Sequence, residues 1–271
     1  MLRYLIVFSI IILSASCASK LSKTLKSTDS EYKLKVAENY FAQKKYNNAQ
    51  VLFEDLFPIF KGTARFEDLY YKYAFSAYHL GDYTNAENLF KTFVETFPNS
   101  GKAEEADYMR AYCYYKQSPK ADLDQTNTTK AMGQMQAFIN NHPSSPKLAE
   151  ATSIIEQSRA KLEVKDYRSA ELYYNLGYYK AAAIAFNALI ENYPDSQSGD
   201  EYKLMVIKSY YLYANNSIEE KQPERYEKVV NECLDFIDRF PDSKLRKSVE
   251  NYRTESSNNI KEKNEQIKKA A

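Results

Sequence analysis

Two histidines, three cysteines and many carboxylates are the residues of this chain whose types could do chemistry. Their spacing argues against it. His142 takes the ring position ahead of a helix-ending proline, so it reads as structural. His79 stands beside Leu80-Gly81 at a predicted helix end, where the negative pole of the helix favours an imidazole that holds no ligand. A metal site or a histidine-based triad needs partners that two isolated histidines lack. No glycine-rich phosphate loop is present. Glu104-Glu105 and Glu219-Glu220 fall on polar helix faces, and no acid pair stands out for acid–base work. Cys113 and Cys233 are 120 residues apart in apolar stretches and read as small buried residues, since a disulfide scaffold would carry more cysteines. The expectation is a protein without catalysis, metal or non-covalent cofactor.

Cys17 is different. Met1-Leu2-Arg3 supplies a positive charge, and Tyr4 to Leu13 is apolar but for Ser9. Ser14-Ala15-Ser16 are small residues just ahead of Cys17. A charged start, a short apolar run and small residues make a secretory signal, and the run is too short for a comfortable membrane span. A cysteine directly after it looks like a lipobox, with residues 1–16 removed and a lipid attached to Cys17. The position three before the cysteine holds Ser14 where a large aliphatic residue is usual, with Leu13 one step earlier. Residues 17–30 are polar and suit a lipidated flexible tether.

The elements that follow are helical. Of the 271 residues 44% are hydrophobic and 27% charged, with net charge +1, which is a folding composition without the basic excess of a nucleic-acid binder. Only six glycines occur, too few for a turn-rich fold, and the class expected is all-α. Four segments end in a ring, a proline, a polar residue and a serine: those closing at Ser100, Ser145, Ser196 and Ser243. Each follows an apolar pattern of steps three and four, as in Tyr83, Ala86, Phe90, Phe93 and Phe97. An opening copy, Tyr46 to Phe60, lacks the closing proline, and Pro58 should kink its last turn. Ala49, Ala86, Ala131, Ala182 and Val229 are equivalent, at steps of 37, 45, 51 and 47 residues. Earlier helices are predicted at 31–43, 66–80, 102–116, 147–176 and 200–214. Turns at Lys44-Lys45, Gly81-Asp82 and Gly177-Tyr178 join the pairs, with glycine supplying positive φ. This is a tetratricopeptide-repeat solenoid of five helix pairs over 31–247, with units at about 31–63, 64–100, 101–145, 146–196 and 197–247. The longer loops 117–127 and 215–223 are either functional or solvated spacer, and the polar tail 248–271 is either a capping helix or disordered.

Tyrosine is the informative surplus, with 25 residues. Many crowd the first helices: Tyr70, Tyr71, Tyr73 and Tyr78, then Tyr108, Tyr112, Tyr114 and Tyr115, then Tyr210, Tyr211 and Tyr213. A helix buries one stripe, so rings at successive positions cannot all enter the core. Any single tyrosine favours the core, while the set favours an aromatic groove suited to peptides.

The lipobox, the five units, the segments Tyr46 to Thr63 and Tyr108 to Tyr115, and the loop from Ser118-Pro119 through Leu123-Asp124-Gln125-Thr126-Asn127 together resemble BamD. BamD is the family of outer-membrane β-barrel assembly lipoproteins, and the likeness is to its Bacteroidota branch. The resemblance implies a non-catalytic scaffold, lipid-anchored at the periplasmic face of the outer membrane. Partners implied are a BamA-like barrel, docked through its POTRA domains, and unfolded outer membrane proteins. It implies a substrate groove with Tyr70, Tyr73, Tyr78 and Arg110, the arginine meeting a client carboxylate. It implies BamA docking within 200–240, with Arg225 and Lys228 as ion-pair partners. Ala18-Ser19-Lys20 carries no acid, which fits retention on the periplasmic face. The alternative is another periplasmic tetratricopeptide lipoprotein serving peptidoglycan or envelope processes.

Overall fold

The computed structural model describes residues 20–270. Cys17 and the signal segment lie outside the described residues. Five helix pairs follow one another: α1 (Ser30–Ala42) with α2 (Tyr46–Phe60), α3 (Phe66–His79) with α4 (Tyr83–Thr96), α5 (Ala103–Lys116) with α6 (Thr126–Asn141), α7 (Leu148–Asn175) with α8 (Tyr179–Asn192), and α9 (Gly199–Asn215) with α10 (Gln222–Arg239). A final helix, α11 (Arg246–Ala270), packs on α10. No strand occurs among the described residues. This is the all-α tetratricopeptide solenoid, and the tail takes the capping-helix alternative.

Each pair begins and ends by the chemistry its sequence offers. The Asp82 side chain accepts the Asn85 N–H at 3.3 Å and starts α4, while Asp29 accepts from Tyr32 at 2.9 Å and starts α1. Within the pairs, Lys44, Gly81 and Gly177 all take positive φ, at 58°, 80° and 79°. Their neighbours make the same two closing bonds: Lys45 N–H to Tyr40 C=O and Lys44 N–H to Phe41 C=O, repeated at Asp82/Gly81 and Tyr178/Gly177. Lysine in the left-handed region is strained where glycine is not. Lys44→Gly is therefore expected to raise stability by about 1 kcal/mol, read as a higher urea midpoint.

The four ring-proline turns share one geometry. Phe97, His142, Tyr193 and Phe240 sit at φ near −126° to −128° and ψ near 58° to 64°, off the helical region as a following proline requires. The serine two residues after each proline does two jobs. Its hydroxyl accepts the N–H of Lys102, Lys147, Ser198 or Leu245 at 3.0–3.1 Å. The same hydroxyl donates to an acid on an earlier first helix: Ser100 to Glu67, Ser145 to Glu104, Ser196 to Glu163 and Ser243 to Asp200. Successive units are thus tied by a hydrogen bond to a charged acceptor, the stronger kind.

This register explains α7. Glu67, Glu104 and Asp200 lie in the first turn of their helices, whereas Glu163 lies mid-way along α7. Glu163 to Asp200 is 37 residues, the same as Glu67 to Glu104. The start of α7 repeats the start of α5: Ser145 Oγ accepts the Lys147 N–H there just as Ser100 Oγ accepts that of Lys102. The 28-residue helix therefore holds two first-helix registers in tandem, and the division of the described residues into two compact units, between Arg159 and Ala160, falls inside it. The large step into the fourth unit is this doubling.

The first unit is centred on Phe53, Phe90, Phe93 and Phe138, all at or below 1% exposed, with Ala49, Ala74, Ala86 and Ala131 where helices approach closely. The second unit is centred on Phe186, Leu189, Ile207 and Phe236. Helix α2 runs through Pro58, which cannot donate to the Glu54 carbonyl, and ends two residues later. Residues 20–25 are helical, and Leu21 and Leu25 pack on the first unit's core. The flexible tether expected over 17–30 is in its described part held down by these leucines and by buried Thr24.

Cys113 and Cys233 are buried free thiols, pushed up to about 12 by burial. Neither is expected to react with iodoacetamide at pH 8 in the native protein, and both to react in urea, as located by mass spectrometry of the peptides.

Candidate functional site: two protein-facing surfaces

The groove residues assigned from sequence divide once placed. Tyr73 is core, 9% exposed, with its ring edge-on to Phe57 at 4.7 Å. Tyr70 is half-buried and stacks on Phe57 at 5.3 Å, and burial raises its phenol above the ordinary value. Both belong to the aromatic packing between α2 and α3, with Tyr73 buried in it and Tyr70 partly exposed. Arg110 has a partner within the chain. Its Nε lies 3.3 Å from Oε1 of Glu87, a carboxylate that is only 7% exposed. A buried carboxylate needs its cation, so Arg110 serves Glu87 within the chain. A sequence signal existed, because Glu87 falls on the apolar face between Tyr83 and Phe90 of α4.

Tyr78 joins a second, partly exposed row of rings. Its ring is 6.4 Å from Phe75 and 6.2 Å from Tyr112, which stacks on Tyr108 and neighbours Tyr115 at 5.7 Å. Burial pushes the Tyr78 phenol up to about 12. Two hydroxyls in and beside this row tie one first helix to the next. Tyr71 donates to Glu105, and Tyr115 to Gln157 at 2.8 Å. The tyrosine surplus thus serves assembly of the repeats first, leaving Tyr78, Tyr112 and Tyr115 half-exposed at its edge.

The long loops are pinned from inside. The buried Gln125 amide donates to the carbonyls of Lys120 and Leu123 at 2.8 and 3.0 Å and accepts from Thr128 at 2.6 Å. Gln222 does the same for 215–223, donating to the Asn215 and Ser217 carbonyls at 3.2 and 3.0 Å beside a short 3₁₀ turn, Glu219–Lys221.

Arg225 and Lys228 are brought together in the second compact unit, the one that begins at Ala160. They line an open concavity of about 520 Å³ with Lys180, Lys221, Tyr210 and Tyr213. The Arg225 guanidinium lies 4.2 Å from the Tyr213 ring centre and donates to Ser217 Oγ. Lys228 Nζ sits 5.6 Å from the Tyr210 ring centre and 2.7 Å from Glu232. Glu232 is buried and also accepts from buried Lys203. Tyrosine faces under cations hold those cations in place without neutralising them. Among the described residues no cluster of histidine, cysteine and carboxylate is disposed to hold a metal, and no helix is long and apolar enough to cross a membrane.

The family profile YfiO, described as outer membrane lipoprotein, matches residues 28–225. The chain belongs to the YfiO outer membrane lipoprotein family. The match runs from just before α1 through Arg225 near the start of α10. YfiO membership bears out the resemblance to the BamD type at the level of the family, and associates the chain with the outer membrane. No curated protein matches the sequence. Among solved structures, the TPR2AB-domain:pHSP90-complex of yeast Sti1 is similar at 12% identity and a TM-score of 0.39, covering 84% of this chain and 98% of that one.

Proposed function

We propose that this YfiO-family chain is the BamD-type, non-catalytic scaffold of an outer-membrane β-barrel assembly complex, of the Bacteroidota branch. A lipid on Cys17 anchors it at the periplasmic face. The concavity holding Arg225 and Lys228 docks the POTRA domains of a BamA-like barrel. Unfolded outer membrane proteins meet the half-exposed ring edge of Tyr78, Tyr112 and Tyr115. The family match over 28–225 carries this reading. Two features support it: an all-helical repeat scaffold, and cations held on tyrosine faces at an open surface. Such a surface suits recognition of a carboxylate-bearing partner.

Purification from native membranes in mild detergent, by a tag after Ala271, tests it. Recovery of a barrel protein with POTRA domains in near-equal amount is the expected result. Recovery of peptidoglycan or division proteins in its place would leave the helical fold standing and overturn the function.

A further inference from the structure

The concavity at Arg225 does not end at its cations. A second hollow, of about 390 Å³, shares Lys180 and Tyr213 with it and is lined by Tyr178 and Ile184. Tyr178 is 63% exposed and Ile184 57%, while Leu176 beside them is 59% exposed. Large apolar side chains gathered at that exposure do nothing for the second unit's core, whose residues lie elsewhere. The two hollows adjoin at Lys180 and Tyr213, one lined mainly by apolar side chains and the other by cations.

Charge at the basic end is unbalanced. Lys180, Lys221, Arg225 and Lys228 face Glu224 and Glu227. Lys228 is neutralised by Glu232, and Lys221 lies 3.7 Å from Glu224. Lys180 and Arg225 meet no carboxylate among the described residues. Arg225 is stacked and tethered through Ser217, so its planar fork is ordered before any ligand arrives.

We infer that this groove takes a short segment of a partner protein in which a bulky apolar side chain is followed closely by carboxylates. The apolar residue seats against Tyr178 and Ile184. The carboxylates meet Lys180 and Arg225. Charge complementarity selects this occupant: Lys180 and Arg225, two cations without an ion pair against the one carboxylate of Glu227, stand beside an apolar hollow. The inference rests on reading the second unit as a docking face, and adds the apolar anchor and the chemistry of the partner.

The test uses the full chain in detergent and a fluorescein-labelled peptide with a Phe-Asp-Glu core between Gly-Ser flanks. Peptides with Ala-Asp-Glu and Phe-Lys-Lys cores are the controls. Fluorescence polarisation is expected to show the Phe-Asp-Glu peptide bound about tenfold more tightly than either control. Ile184→Glu and Lys180→Glu, both at surface positions, are each expected to weaken it about tenfold with unchanged thermal melting. Equal binding of the three peptides, or full binding by Ile184→Glu, would overturn the inference. So would binding of phosphatidylglycerol vesicles, but not of the peptide, that is lost in Lys180→Glu, since the site would then belong to a lipid headgroup. A dimer of the wild type that Ile184→Glu dissolves would overturn it too, in favour of a second copy. The two readings fail separately. A barrel protein recovered equally by wild type and Ile184→Glu keeps the docking function and removes the groove. Peptide binding that depends on Ile184, without recovery of any barrel protein, keeps the groove and removes the barrel.

Discussion

Lys203→Ala is expected to cost about 3–5 kcal/mol of stability, the range for removing one partner of a buried ion pair. Lys203 is 3% exposed on α9, and its Nζ lies 2.5 Å from Oε2 of Glu232 and also meets Asp235. Without it, Glu232 keeps only Lys228, on its own helix and half in solvent. The carboxylate is then left buried with a partner too wet to compensate it. Lys203→Met combined with Glu232→Leu should recover most of the loss, because the unpaired charge disappears with its partner. Urea unfolding of the three variants checks both statements. Acidity supplies a further check. Burial alone would raise the Glu232 carboxyl, but hydrogen bonds from Lys203 and Lys228 outweigh it and hold the group below its ordinary range. A carboxyl lowered in the folded state stabilises above its unfolded value and loses that contribution as pH falls through the folded one. The gap between wild type and Lys203→Ala should be full at pH 7 and narrow below about pH 4.

Phe93→Ala is expected to cost a similar 3–5 kcal/mol, here through lost burial plus a cavity. Phe93 is fully buried on α4 and lies 5.5 Å from the ring of Tyr71 and 5.1 Å from that of Phe97. It therefore braces the aromatic packing of α3 and the ring that ends α4. Leu123, 58% exposed in its loop, offers the contrast: Leu123→Ala should change stability by less than about 0.5 kcal/mol. Thermal unfolding of the two variants beside the wild type decides the comparison.

The repeat was legible because helix periodicity and the ring-proline-serine ending recur in plain sequence. Helix bounds expected at 66–80 and 147–176 are found at Phe66–His79 and Leu148–Asn175. What periodicity could not supply was the neighbour each face meets. Tyr70 and Tyr73 were expected in a groove, yet both pack against Phe57 of the preceding helix. Charged residues on apolar faces were the overlooked signal. Glu87 sits among Tyr83, Phe90 and Phe93, and Glu232 among Val229, Cys233 and Phe236. Each demanded a cation from a neighbouring helix, and Arg110 and Lys203 are those cations. The double register of α7 was hidden because a helix carrying two registers reads as one long amphipathic run. It emerges only when Ser196 is seen to reach Glu163 as Ser100 reaches Glu67. Arg225 and Lys228 line one concavity because they lie three residues apart on one helix face, where spacing alone suffices.

The central claim is that the second unit docks a barrel protein through the surface of Lys228 and Tyr178. A photo-crosslinking amino acid placed at each of these exposed positions in living cells tests it most directly. The account predicts one prominent crosslinked chain from both positions, identified by mass spectrometry as a barrel protein through peptides of its POTRA domains. Crosslinks from both positions to peptidoglycan enzymes, or none from either while a crosslinker at Tyr78 captures the barrel protein, would contradict it.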